Sequence, residues 1–172
     1  MTTIRFAHKD EAPALFALIE AHRVEGHLLP RPLDELERHA ERFLVVEDDG
    51  AIIAGAEIMK LSAHVAEVRS LVVDRHHRGT GVGGDLMAAL VDAAREAGYQ
   101  SLCAFTHSPA FFVRQGFSIV PHVWVPEKVQ NVCTSCALFR NCSQYAMLLP
   151  LHLMAGAAPA VSGRARLAVH AA

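Results

Sequence analysis

The chain has 172 residues, 52% hydrophobic and 20% charged, with a formal net charge of −2. That length and composition describe one folded domain with a real core and exclude a disordered chain. There is no basic excess, which argues against a nucleic-acid partner, and no charged-then-apolar leader opens the sequence, so a cytoplasmic location with reduced thiols is expected.

Residues 3–7 alternate apolar and polar and predict a short first strand. Asp10 is placed to cap a helix that carries Ala12, Leu15, Ile19 and Ala21 at helical spacing, with Gly26 as its stop. Pro30 and Pro32 flank Arg31, and Pro32 suits the first turn of a second helix holding Leu33, Leu36 and His39. Residues 43–46 predict a strand, Asp48-Asp49-Gly50 a hairpin turn, and residues 51–59 the returning strand. A further strand is expected over 66–73, then a Gly-rich turn over 78–84. Val82, Leu86, Leu90 and Ala94 line one face of the next helix, which Gly98 ends. Residues 101–105 predict a strand. Pro109 opens a short helix, Gly116 stops it, residues 117–121 are extended and residues 126–129 read as a helical turn. Cys133, Cys136 and Cys142 fall in a loop, and residues 144–149 predict the last strand. Residues 1–150 form the expected domain and 151–172 a flexible Ala- and Gly-rich tail. The uncharged run over 141–163 is interrupted by Pro150 and Pro159 and is too weakly apolar to span a membrane, so no membrane partner is expected. Strands that meander and then alternate with helices imply a mixed α/β domain whose sheet has helices on both faces.

Residues 67–84 carry the chemistry. They read as a buried strand, a Gly-rich turn and a helix start. The first N–H groups of a helix lack internal partners and lie at the positive end of its dipole, and glycines let a ligand approach the backbone. The product is a site for an anion such as a pyrophosphate. No Gly-Lys-Ser/Thr is present, which excludes a triphosphate-binding loop, and the turn does not follow a first strand, which argues against a dinucleotide fold.

Read as Arg-x-x-Gly-x-Gly, the segment Arg78 to Gly83 resembles the acetyl-CoA signature of the GNAT acetyltransferase superfamily. The preceding "EVRSLVVD" is similar to that family's central strand, and "SPAFFVRQGF" to its later helix. The resemblance implies a mostly antiparallel sheet that splays between the fourth and fifth strands, with acetyl-CoA held in the slot. Leu71, Val72 and Val73 would meet the pantetheine arm. The turn from Arg78 through Gly79, Thr80, Gly81, Val82 and Gly83 to Gly84 would hold the pyrophosphate. "HLLPRPLDELERHAERFLVVEDDGAIIAGAEI" and "VPEKVQNVCTSCALFRNCSQYAML" are further similar to short bacterial N-acetylglutamate synthases. That implies direct acetyl transfer to a small amine, L-glutamate first, and a place in arginine synthesis. Another small amine, a protein amine or a non-catalytic acetyl-CoA sensor remain the alternatives, and a homodimer is left open.

Glu67 is the candidate base, because an acceptor ammonium must lose a proton before it attacks a thioester. Its alternative is a solvated strand residue or an ion pair with Arg69. Arg31 and Arg69 are candidates to grip carboxylates with their planar forks, and Lys128 and Arg140 are weaker ones at the rim. The position that is Tyr in many of these enzymes is Phe112, which has no proton to give; Tyr145 or Ser143 is the candidate substitute donor, with unaided departure of the coenzyme A thiol as the alternative, and Ser143 is also a candidate substrate contact. Cys133, Cys136 and Cys142 have partial zinc spacing with His107 or His122 as a fourth ligand, but a second Cys-x-x-Cys is missing and no metal is expected. His76 and His77 read as loop residues near the coenzyme phosphates.

Overall fold

The computed structural model describes residues 1–25 and 28–151. The tail from residue 152 and the stop assigned to Gly26 lie outside those residues. The strands are β1 (Thr3–Phe6), β2 (Phe43–Asp48), β3 (Ala51–Lys60), β4 (Val65–Val73), β5 (Ser101–Thr106), β6 (Ser118–Val120) and β7 (Tyr145–Pro150). The helices are α1 (Ala12–Arg23), α2 (Leu33–His39), α3 (Val82–Glu96), α4 (Pro109–Arg114) and α5 (Pro126–Asn131).

The seven strands form one sheet in the order β1-β2-β3-β4-β5-β7-β6. Every pair is antiparallel except β4 with β5. The last strand inserts between β5 and β6, so β6 becomes the edge. The turn between β2 and β3 places Asp49 at φ 47° and Gly50 at φ 81°, the left-handed pair that a two-residue hairpin matching strand twist requires.

Strand parity sends alternate side chains to two cores. Leu44, Val46, Ala66, Val68, Leu102 and Ala104 pack under Leu86, Met87 and Leu90 of α3. Phe43, Val45 and Val72 pack on the other face against Leu15, Ile19 and Leu36 of α1 and α2. Leu86 and Leu90 are fully buried, so truncating either to Ala would cost about 2–5 kcal/mol. A third cluster joins Cys103 to Val120, Val125 and Ala146 and seats α5 on the α1/α2 side of the sheet.

Two caps differ from the sequence reading. Asp10 does not cap α1. It lies in a 3₁₀ turn, Lys9–Glu11, that precedes the helix, where the Glu11 carboxylate accepts the His8 backbone N–H at 2.7 Å. Pro32 stands just before α2 rather than inside its first turn, with extended backbone at ψ 143°. In both places the chain enters the helix one step later than side-chain preference alone indicates. Gly98 does close α3, at φ 82°.

Candidate active site

Two breaks in the sheet create the site. The parallel ladder of β4 with β5 runs only from Val65–Ser101 to Val68–Ala104. Beyond it, β5 continues along β7 while residues 69–73 of β4 have no partner on that side. A slot opens between them, as the resemblance implies. On its other edge β4 bulges against β3: Arg69 pairs with Glu57 and Val72 with Gly55, so Ser70 and Leu71 together oppose Ala56. Ser70 is held at φ 52°, a conformation that disfavours any side chain with a Cβ.

A cavity of about 650 Å³ follows this slot. One wall is the strand from Glu67 to Val73 and the other includes Phe105 and Thr106. Its far end is the Gly-rich turn. Gly79 (φ 78°) and Gly81 (φ 99°) need their positive φ to bend the chain into α3, where Gly84 and Asp85 donate to the Gly81 carbonyl at 2.9 and 3.0 Å. The N–H groups of Val82 and Gly83 precede the first intrahelical bond and sit at the positive end of a 15-residue helix. A Cβ on Gly83 would meet Val73 at 3.4 Å and Phe111 at 3.5 Å, so this glycine lets helix and strand close together.

The turn is braced from beneath. Asp74 accepts the His76 N–H at 2.9 Å, which holds its carboxyl below the usual range, and His77 adds to the effect. Arg78 Nε donates to the Val73 carbonyl at 3.0 Å and its guanidinium pairs with Glu25 at 2.8 Å. Buried His22 spans α1 and the turn: Nδ1 lies 2.9 Å from the Leu18 carbonyl and Nε2 accepts the Arg75 N–H at 3.2 Å.

At the opposite end stands Glu67, only 3% exposed. Lys128 Nζ is 2.8 Å from each of its carboxylate oxygens, and Arg69 Nε is 3.9 Å away. Lys128 comes from α5 and is itself buried, so it is not a rim residue. Arg31 is buried too. Its Nη2 meets Glu57 at 2.8 Å and Glu35 at 2.9 Å, and its Nη1 donates to Ser70 Oγ at 2.8 Å. Glu57, fully buried on β3, was not singled out by the sequence. The available signal was a carboxylate directly after the small apolar run Ala54–Gly55–Ala56, at the parity that faces α1 and α2.

The structure brings together most of the expected residues. Glu67, Arg69, Arg31, Leu71, Val72, Val73, Arg78, Gly79, Gly81, Gly83 and Gly84 line the cavity. Thr80 and Val82 belong to the turn but not to the lining, and the Thr80 hydroxyl donates to the His77 carbonyl at 2.6 Å. Ser143 and Tyr145 flank the lining residue Gln144 without lining the cavity themselves, and Tyr145 is 46% exposed. His77 lines the cavity and His76 does not. Phe112 is packed edge-on between Phe111 and Phe117, each ring 5.3 Å away.

The cysteines lie outside the cavity lining. Cys142 Sγ is 3.9 Å from His122 Nε2, but among the described residues no three His, Cys, Asp or Glu side chains converge as a metal site would require. Cys103 lies in the sheet beside Glu67, and burial pushes its thiol up, away from reactivity. No helix among the described residues is long and apolar enough to cross a membrane.

Electrostatics follow from the lining. Arg31, Arg69, Arg78, Arg114 and Lys128 face two carboxylates, Glu25 and Glu67. A long slot with a positive lining, ending in a helix N-terminus whose glycines leave backbone room, fits an extended thiol ester with a diphosphate.

Comparison with known proteins agrees with this geometry. The model of the Acetyltransferase (GNAT) family matches residues 8–117. An N-acetyltransferase of Chlorobaculum tepidum, itself uncharacterized, is 28% identical over 150 residues, covering 87% of this chain and 97% of that protein. The amino-acid acetyltransferase of Neisseria meningitidis is 32% identical over 127 residues, 73% of this chain. The crystal structure of N-acetylglutamate synthase from Neisseria gonorrhoeae, complexed with coenzyme A and N-acetyl-glutamate, superposes with TM-score 0.80 at 27% identity over 89% of this chain. The chain spans 29% of the first Neisseria protein and 36% of the second.

Proposed function

The chain belongs to the acetyltransferase (GNAT) family, with acetyl-CoA as co-substrate, and from that premise we propose that it acetylates the α-amine of L-glutamate. The observation that carries this reading is the placement of Glu67. Its carboxylate is buried, held by Lys128, and stands where β4 parts from β5, with Arg69 beside it and Arg31 in the lining of the same cavity.

The reaction needs three things. The coenzyme must be anchored, the amine must lose a proton, and negative charge must be met as the thioester carbonyl is attacked. Val73 and the turn from Arg78 to Gly84 anchor the coenzyme at one end of the slot. The amine enters at the other and gives its proton to Glu67, directly or through one water. The amine nitrogen then bonds to the thioester carbon, the C–S bond breaks, and the acetyl group passes to nitrogen with no enzyme-bound intermediate. The departing thiolate takes a proton from solvent or from Tyr145. The reading does not depend on that tyrosine, because a thiol is acidic enough to leave unaided. Arg69 takes a carboxylate of the acceptor, and Arg31 uses the donors left over from Glu57, Glu35 and Ser70.

One observation favours a second acceptor. Two carboxylates already engage Nη2 of Arg31, so the positive charge free for a second acceptor carboxylate is reduced. An amino acid with a single carboxylate would need Arg69 alone. Thiol release from acetyl-CoA, measured with glutamate, aspartate, glutamine, lysine and arginine, separates the two. The proposal requires the highest kcat/KM for glutamate, and equal or better turnover of a monocarboxylic acceptor contradicts it.

A further inference from the structure

Glu57 lies in the middle of β3 and is fully buried, yet it does not line the cavity. A charge in that position needs a reason, because removing a carboxylate from water is costly unless it is paired. Only part of it is paired. One oxygen takes Arg31 Nη2 at 2.8 Å. The other, Oε1, has no hydrogen bond; His39 Nδ1 lies 3.9 Å from it and Arg42 Nη1 4.0 Å. The binding strength of Glu57 is therefore directed at Arg31. Arg31, with Phe43 beneath its guanidinium at 5.8 Å, passes the constraint on through Nη1 to Ser70 Oγ at 2.8 Å.

Ser70 is the residue that needs holding. Apart from Asp49 in the hairpin, it is the one described non-glycine residue at positive φ. It sits in the bulge, where Ser70 and Leu71 share one opposing residue and so leave the β3 ladder while lining the cavity. A strained, unpaired backbone persists only where its surroundings fix it. The Ser70 hydroxyl bonded to Arg31 is the fixing contact that the structure shows.

We propose that Glu57 is a positioning residue: through Arg31 and Ser70 it holds the β4 bulge in shape, so that bulge amides freed from the ladder can meet the acetyl carbonyl of the bound thioester. This rests on the reading of the slot as the acetyl-CoA site and is independent of which amine is the acceptor. Glu57 touches no reactant.

The test compares binding of coenzyme A and acetyl-CoA by calorimetry in the wild type, Glu57→Gln, Ser70→Ala and the double variant. Coenzyme A lacks the carbonyl and should bind all four alike. The wild type should favour acetyl-CoA by about fivefold, the worth of one neutral hydrogen bond, and each single variant should lose that preference. The double variant should lose no more than either single, since both act on one contact chain. Ser70→Ala leaves the Arg31–Glu57 pair intact and so reports on the bulge if Glu57→Gln folds poorly. A preference absent from the wild type, or kept in Ser70→Ala, overturns the proposal. Failure of the glutamate reading would instead appear in turnover, which this measurement does not use.

Discussion

Lys128 Nζ lies 2.8 Å from both carboxylate oxygens of Glu67, in a place where the two side chains are 10% and 4% exposed. The pair joins α5 to β4 across 61 residues of sequence. It sets the orientation of the one buried carboxylate that faces the cavity among the described residues.

Removing only the cation leaves that carboxylate buried and uncompensated. Lys128→Met should therefore destabilise the fold by about 3–5 kcal/mol. Adding Glu67→Gln to it should recover more than half of the loss, because no bare charge remains. Urea unfolding of the single and double variants checks both values. Additive losses would show that the pair is not coupled.

Arg69 is a quarter exposed and makes only a long contact with Glu67, so its donors are available to a ligand. Arg69→Ala should raise KM for the acceptor amino acid by about tenfold to a hundredfold, the value of a charge-assisted hydrogen bond, and leave KM for acetyl-CoA unchanged. Steady-state kinetics with each substrate varied in turn makes this comparison.

Gly81 stands at φ 99°, and a Cβ there would meet only Asp85 Oδ2 at 4.0 Å. The cost of Gly81→Ala is thus conformational, about 1–2 kcal/mol. It falls on the turn that presents the helix N-terminus. Coenzyme A affinity should drop by about tenfold with a small loss in Tm. Gly83→Ala acts differently, through Val73 and Phe111 at 3.4 and 3.5 Å, and should lower Tm as the strand and helix are pushed apart.

Far from the slot, Arg5 binds Glu11 at 2.6 Å and Glu47 at 2.6 Å. The Arg5 guanidinium holds the Glu11 carboxyl down at about 2, against 4.5 for an unperturbed group. A depressed folded-state pKa adds stability that is complete above the unfolded value and vanishes as pH falls through the folded one. With allowance for partial exposure the contribution is about 1–2 kcal/mol. The Tm gap between wild type and Glu11→Gln should be constant near neutrality and should close between about pH 5 and about pH 2. A gap that persists at the acid end would assign the effect to packing.

The turn and the central strand were legible in the sequence because their signals are local. Glycines in a strand-to-helix turn require positive φ and room for backbone, and both are recorded in residue type. Alternation along β4 likewise placed Glu67 and Arg69 on one face. Lys128 was not legible as the partner of Glu67, since its position depends on how α5 docks against Val120, Val125 and Ala146 in the third core cluster. Glu57 was hidden for a related reason. Its meaning comes from Arg31, which reaches it from the connection between α1 and α2, and no periodicity within β3 indicates that contact. The insertion of β7 between β5 and β6 is a long-range choice of the same kind: neighbours in sequence would have paired β6 with β5. The hydroxyls of Tyr145 and Ser143 carry the chemistry of a proton donor but no local signal of direction, and it is Gln144, just before β7, that lines the cavity.

Glu67 is proposed to take the proton of a glutamate amine within the slot. The decisive experiment is mass spectrometry of N-acetylglutamate formed from acetyl-CoA and glutamate, followed with time for the wild type and Glu67→Gln. Product should appear in step with released thiol, at a rate about a hundredfold or more lower in the variant, whose acetyl-CoA affinity is unchanged. Equal rates in the two proteins, or thiol release without acetylated glutamate, would overturn that role for Glu67.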